Sequence, residues 1–218
     1  MLHRCASARR PLVAVGLLLL AISGCYPYDR HVTLAYDVPA GSGPRFNGNE
    51  VPVVIADFLD GRPDRRVIGR LSSAVVVSSP DITADNEPGV WIADAIRKEL
   101  DHERYAASTS DDPAPPGVYG IEGTVIKAFS NAAGHYTADV VFEARVKRDG
   151  QTLLVKRYSG HGDKGGMVQG APEMMGEALS AALSHAIDPF VVDFHGIVTG
   201  GSAPAGGTTG GTPSATAP

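Results

Sequence analysis

Residues 135–159, HYTADVVFEARVKRDGQTLLVKRYS, decide the fold. Apolar and polar residues alternate through two runs, 135–148 and 152–159, and the dipeptide Asp149-Gly150 between them favours a two-residue type I′ turn. The pattern therefore predicts an antiparallel β-hairpin with one apolar face. Such a face has to be covered by other elements of the chain.

The same turn predicts the register of the hairpin. A two-residue loop brings three pairs of side chains together across the strands, namely Val146 with Leu153, Ala144 with Val155 and Glu143 with Lys156. The first two pairs are expected on the covered face, and the third is expected on the polar face.

Two amphipathic helices are predicted to cover the sheet. The first runs from Pro88 to about His102, because Ile92, Ile96 and Leu100 recur every four residues. The second begins at Pro172 and is predicted to end at Pro189, with one apolar stripe made of Met175, Leu179, Ala182, Leu183, Ala186, Ile187 and Phe190. Residues 191–194 are then expected to form an edge strand.

Further strands are predicted upstream of the hairpin, at residues 51–58, 74–77 and 118–129, with a short one within 32–36. Residues 159–170 are rich in glycine and are predicted to form a loop. The order of elements predicts an α+β fold: a mainly antiparallel sheet with two helices packed on one face.

The N-terminus has the layout of an export signal. Arg4, Arg9 and Arg10 precede an apolar run, 12–22, and the small residues Ser23 and Gly24. The run is too short to span a bilayer, which requires roughly 20 apolar residues.

Ile22-Ser23-Gly24-Cys25 resembles the lipobox of bacterial lipoproteins. The resemblance implies cleavage before Cys25 and a covalent N-terminal lipid on its thiol, and no other cofactor is expected. An ordinary signal peptide with a chance cysteine is the alternative. Tyr26 favours the outer membrane, because enterobacterial lipoproteins retained in the inner membrane resemble one another in carrying Asp at that position.

The mature chain is acidic. From Cys25 onward there are 16 basic residues, the 19 of the whole chain without the three signal arginines, against 24 acidic residues, which gives a formal charge of −8. This balance argues against nucleic acid and against anionic lipid headgroups as partners, because both require a basic patch. Cys5 would leave with the signal, so the mature protein has no disulfide.

Composition divides the chain into four predicted parts. They are a lipoprotein signal peptide at 1–24, an acylated leader or linker at 25–49, an α+β lipoprotein domain at 50–194 and a Gly/Thr/Pro/Ala tail at 195–218. The tail is expected to be disordered, because it has almost no apolar surface to offset the entropy lost on ordering.

The stretch VVIADFLDGRPD at 53–64, followed by Val67-Ile68-Gly69, resembles the YajG family of bacterial lipoproteins. That family has a valine-rich strand running into an Asp-x-Arg-x-Asp turn and then Ile-Gly, and the likeness extends over about residues 50–190. It implies the fold and an envelope location but little chemistry. The extended tail and the longer proline-rich link at 108–117 depart from the family pattern.

Asp60, Arg62, Asp64 and Gly69 are the candidate site residues. Their spacing misses the calcium-loop pattern, so no metal is expected. Two interpretations remain: Arg62 pairs with Asp60 or Asp64 and stabilises the turn, or the turn 60–69 and the loop 159–170 form a partner-binding surface.

No nucleophile motif or phosphate loop is present, so the protein is not expected to be an enzyme. The leading hypothesis is a lipoprotein on the periplasmic face of the outer membrane that binds an envelope protein or the cell wall during envelope assembly or maintenance. The alternative is an auxiliary lipoprotein of a lipid-transporting ABC system, which would hold an apolar ligand between sheet and helices.

Overall fold

The computed structural model describes residues 31–40, 43–72, 80–165 and 172–200. The predicted export signal, Cys25, the predicted strand at 74–77 and the chain beyond residue 200 lie outside this part. The described residues form a nine-stranded sheet and two helices. The elements are β1 His31–Val32, β2 Pro52–Ile55, β3 Leu59–Asp60, β4 Val67–Leu71, β5 Asp81–Ala84, α1 Pro88–His102, β6 Ala106–Thr109, β7 Tyr119–Ala132, β8 Tyr136–Arg148, β9 Gln151–Lys164 and α2 Pro172–Val198.

The sheet is mixed and mostly antiparallel. Strands β7, β8 and β9 form a long antiparallel meander. Along its other edge β7 pairs in parallel with β2, β3 and β4, one after another. Strand β6 lies beyond β2, while β5 and β1 lie beyond β4. Both helices pack against the sheet, which confirms the α+β prediction.

The core lies between the sheet and the helices. Along β8 every second residue is buried, from Tyr136 to Val146, as a strand with one covered face requires. Helix α1 has the predicted bounds, and its Ile92, Ile96 and Leu100 are completely buried. We call the face of the sheet opposite the helices the outer face.

The hairpin turn has the predicted geometry but the register prediction was wrong. Asp149 and Gly150 both have positive φ, 52° and 77°, as a type I′ turn requires. An irregularity near Leu153 then shifts the pairing by one residue, and the observed pairs are Val146 with Leu154, Ala144 with Lys156 and Glu143 with Arg157. A shift of one residue reverses the faces. Val155 is consequently 51% exposed, and Lys156 lies on the helix side.

Helix α2 does not end at Pro189 but continues to Val198, so the predicted edge strand at 191–194 was wrong. A proline inside a helix costs about 3 kcal/mol. The extra turns bury the whole side chains of Phe190 and Phe194, each contributing roughly 1.5–3 kcal/mol. The gain from burial therefore offsets the cost of the proline.

The predicted loop at 159–170 was wrong in its first half, because β9 continues to Lys164. Gly160 and Gly162 lie in this strand against the backbone of α2. A Cβ atom at Gly160 would lie 2.0 Å from the Ala182 carbonyl oxygen, and one at Gly162 would lie 2.1 Å from that of Ala178. The glycines permit close contact between a helix and a sheet, and they do not mark a loop.

The folded domain is larger at both ends than composition indicated. Val32, Leu34 and Tyr36 are buried in the core, so residues 32–36 of the predicted leader belong to the domain. At the other end α2 includes the first four residues assigned to the tail. His195 there forms a 2.7 Å hydrogen bond with the Tyr105 hydroxyl.

Candidate functional site

The turn after β3 is organised around the buried guanidinium group of Arg62. Its Nε and Nη2 donate to the two carboxylate oxygens of Asp60, both at 2.9 Å. Nη2 also donates to the Arg65 carbonyl at 2.7 Å, and Nη1 donates to the carbonyls of Val67 and Ala128 at 2.8 and 3.3 Å. An arginine side chain has five N–H donors. All five are used within the domain, four in the turn and one on the β7 carbonyl of Ala128, so Arg62 has none left for a partner.

The other three candidate residues also have contacts within the domain. Burial alone would raise the pKa of Asp60, but the hydrogen bonds and charge of Arg62 outweigh burial and hold that pKa below its ordinary value. Asp64 accepts from the backbone N–H of Arg66 at 3.1 Å, and Asp60 is the carboxylate that pairs with Arg62. A Cβ atom at Gly69 would lie 2.7 Å from the Ser130 carbonyl oxygen, so this glycine leaves room for the backbone of β7.

A charged triad crosses the outer face beside this turn. Lys127 on β7 donates to Asp139 on β8 at 2.8 Å, and the Nδ1 atom of His161 on β9 lies 2.8 Å from the other oxygen of Asp139. Lys127 first and His161 second lower the pKa of Asp139. Lys127 is adjacent in sequence to Ala128, which contacts Arg62, and His161 lies in the second predicted segment. The triad thus connects the turn at 60–69 with the described part of the segment 159–170.

A second charged group lies further along the same strands. Glu122 on β7 accepts from Arg145 at 3.1 Å and forms a 2.7 Å ion pair with Lys147. The hydrogen bond from Lys147 is the largest cause of the lowered pKa of Glu122. Sequence reasoning missed both groups, because cross-strand neighbours depend on register and the register cannot be read before the bulges are known.

The outer face also carries a groove of about 340 Å³. Strands β6 and β7 are both parallel to β2, so the link between them, residues 110–117, has to cross β2. It crosses on the outer face. Val54 and Ala56 contribute to the groove from beneath, while Ala114 lines it from the link. Gly120 leaves room for Ala114, whose side chain would lie 3.1 Å from a Cβ atom there. The groove is shallow and has charged walls.

Buried charges on the helix side are neutralised within the domain. Asp193 on α2 accepts from Lys156 at 2.6 Å and from the Tyr158 hydroxyl at 2.8 Å. Burial first, and the Asp193 hydrogen bond second, raise the pKa of Tyr158. Glu103, directly after α1, accepts from Arg45 at 3.1 Å and from the backbone of Phe46 at 2.6 Å. These groups hold the fold together, and Arg45 and Glu103 also line a small pocket of about 190 Å³.

Within residues 31–40, 43–72, 80–165 and 172–200, no group of three or more His, Cys, Asp or Glu residues is arranged to hold a metal ion. Neither helix in this part combines the length and apolar composition needed to cross a bilayer.

Comparison with known proteins identifies similar folds. No protein-family model matches the sequence, and no curated protein matches it. Among solved structures, a Xanthomonas campestris protein of family DUF330 is similar over 78% of this chain and 96% of its own, with 13% identity and a TM-score of 0.55. An uncharacterised protein covers 71% of this chain and 95% of its own, with 11% identity and a TM-score of 0.44.

A proposed lipoprotein from Caulobacter crescentus covers 64% of this chain and 93% of its own, with 14% identity and a TM-score of 0.35. At this level of identity the likeness concerns the fold alone, and of these three structures the DUF330 protein has a TM-score above 0.5.

Proposed function

We propose that the mature protein is a YajG-like lipoprotein, anchored through a lipid on Cys25 to the periplasmic face of the outer membrane. It acts there as a non-enzymatic binding or accessory module in the assembly or maintenance of the cell envelope. One observation carries the proposal: the buried core begins at Val32, seven residues after the lipobox cysteine. The folded domain therefore follows the acylation site almost directly, as expected for an anchored module.

A binding role is supported by where the charged residues are used. On the helix side Asp193 and Glu103, and in the turn at 60–69 Asp60 and Arg62, make their hydrogen bonds within the domain. The outer face keeps its charges half exposed, with Lys127 at 49% and Asp139 at 44%. A protein partner or the cell wall could replace these ion pairs with contacts of its own at little cost, because exposed pairs contribute only about 0–1 kcal/mol.

The lipid-holding alternative needs an apolar cavity between sheet and helices. Where α2 crosses β9, the backbones are already in contact at Gly160 and Gly162. A pocket of about 410 Å³ lies outside this interface and is lined by residues that include the charged Asp85, Glu173 and Glu177. We therefore prefer the binding role, and the experiment below keeps the transport role as an outcome.

The proposal is tested by crosslinking the native lipoprotein in intact cells and identifying captured proteins by mass spectrometry. Two controls are a Cys25→Ala variant and a soluble periplasmic form carrying an ordinary cleavable signal peptide. A Lys127→Glu/Asp139→Lys double variant reverses the ion pair while keeping the charge of the outer face unchanged.

We expect metabolic labelling with an acyl probe at Cys25, and capture of envelope-assembly or cell-wall proteins that both controls lose. We also expect the double variant to weaken capture. Absence of the acyl label would refute anchoring, and capture of an ABC permease together with lipid would favour the transport alternative.

A further inference from the structure

The short chain between the anchor and the fold restricts how the domain can stand on its membrane. This inference rests on the proposed acylation of Cys25. Strand β1 begins at His31, six residues after that cysteine. Six residues of fully extended chain span at most about 20 Å. His31 must therefore lie within about 20 Å of the lipid surface.

The direction in which the chain enters follows from the strand pairings. Strand β1 is parallel to β5, β5 is antiparallel to β4, and β4 is parallel to β7. Strand β1 therefore runs against β7. The N-terminal end of β1 therefore points towards the end of the sheet where β7 stops, at Ala132.

The two ends of the sheet can be defined by their residues. The near end has the β7–β8 turn at 133–135, the end of β9 at Lys164 and the start of α2 at Pro172. The far end has the Asp149-Gly150 turn and the link 110–117. Strand β7 joins the two ends, and its 14 residues span roughly 45 Å at about 3.3 Å per residue.

The C-terminus of α2 also lies at the far end. Phe194 packs against Tyr119, the first residue of β7, with ring centroids 5.7 Å apart. His195 stacks on Phe46 at 4.2 Å. The chain therefore leaves the described domain after Gly200 at the end opposite to the one by which it enters.

We propose that the near end lies against the phospholipid headgroups of the anchoring membrane, with β7, β8 and β9 standing away from the bilayer. The far end then projects about 45 Å into the compartment, carrying the groove beneath the link and the start of the C-terminal tail. These are the surfaces that a partner at a distance from the membrane would meet first.

The inverted orientation is excluded by length. His31 pairs with Thr83 and so lies at about the level of Ala128, nine residues from the start of β7. To bring Tyr119 to the bilayer, the tether would have to cover those nine residues, roughly 30 Å of strand, with only about 20 Å of chain.

Charge does not hold the near end to the membrane. Lys164 and Arg70 there are accompanied by Asp81, Asp163 and Glu173. The tether imposes the contact, so the orientation is expected not to depend on salt, unlike binding by a basic patch.

The test uses two matched probes, one in the turn before β8 and one directly after the turn that follows β8. Ala133→Cys and Gln151→Cys are both exposed positions, and acylated Cys25 has no free thiol to react. Each full-length acylated variant is labelled with a donor dye and reconstituted into vesicles of phosphatidylethanolamine and phosphatidylglycerol that contain acceptor-labelled lipid. Energy transfer to the lipid is then measured at about 0.1 M and about 0.5 M salt.

We expect several-fold stronger transfer from position 133 than from position 151, at both salt concentrations. Equal transfer would mean that the domain lies on its side, and stronger transfer from position 151 would mean that it is inverted; either result overturns the proposal. A flexible Gly/Ser insertion of about 20 residues before Asp29 should abolish the difference while vesicle binding persists, because a long coil no longer restricts the domain.

Failure of the proposed function gives a different result. A protein that carries no lipid would not sediment with the vesicles, and neither probe would transfer energy. That outcome would refute the proposed anchor and, with it, the proposed orientation.

Discussion

The contact between β9 and α2 is predicted to tolerate no side chain at two glycines. A Cβ atom at Gly160 would lie 2.0 Å from the Ala182 carbonyl oxygen, about 1.4 Å short of the 3.4 Å at which ordinary contact begins. The obstacle is helix backbone, so the helix itself has to move. Gly160→Ala therefore separates α2 from the sheet along the interface that contains Ala178, Ala182 and Ala186.

The expected loss is about 1–3 kcal/mol of unfolding free energy for Gly160→Ala, and the same for Gly162→Ala. Overpacking a filled core costs typically 1–3 kcal/mol. Alanine also reduces the entropy of the unfolded chain, which offsets about 0.4–1 kcal/mol. The helix displacement loses further packing around the alanines, so the net change remains destabilising.

Urea unfolding of the non-acylated mature protein measures this change. Trp91, the one tryptophan of the chain, is 3% exposed and reports on the loss of the core. Gly165→Ala is the matched control, because nothing lies within 4 Å of a Cβ atom there. If Gly160→Ala and Gly162→Ala unfold within about 0.5 kcal/mol of this control, the close-contact argument is refuted.

Three further predictions concern single residues. Arg62→Lys should lower the unfolding free energy by about 2–4 kcal/mol, because lysine cannot serve all five acceptors of the turn; an equal loss from exposed Arg65→Lys in urea unfolding would contradict this. Pro189→Ala should stabilise the protein by about 1–3 kcal/mol, because it restores a helical hydrogen bond to the carbonyl of His185. A decrease in melting temperature measured by calorimetry would disprove this prediction. Burial raises the pKa of Tyr105 from 10.0 to about 12. The contribution of this tyrosine to the unfolding free energy is therefore complete below pH 10 and falls as the pH rises towards 12. A titration of the Tyr105 hydroxyl at the ordinary pKa of tyrosine would contradict this prediction.

The small residues at the β9–α2 interface explain two features of the fold together. Gly160 and Gly162 allow the backbones to touch, and the facing Ala178 and Ala182 keep the helix surface flat. The helix extends beyond Pro189 because Phe190 and Phe194 both pack against the sheet. Volume that a ligand would need between β9 and α2 is occupied by backbone.

Local pattern determined much of this protein. The bounds of α1 follow from the four-residue recurrence of Ile92, Ile96 and Leu100, and the β8–β9 turn follows from Asp149-Gly150. Both signals depend on neighbours in sequence, so they can be read before the chain is folded. The predicted export signal and the predicted lipobox cysteine are likewise read from the sequence, and the functional proposal builds on them.

Only tertiary structure decided the rest. A single irregularity near Leu153 reverses the faces of β9 and brings Lys156 to Asp193, and no local pattern announces it. The triad of Lys127, Asp139 and His161 joins three strands, and its members become neighbours only through register. Which end of the domain can reach the membrane depends on the direction of β1, and that direction is set by pairings between strands distant in sequence.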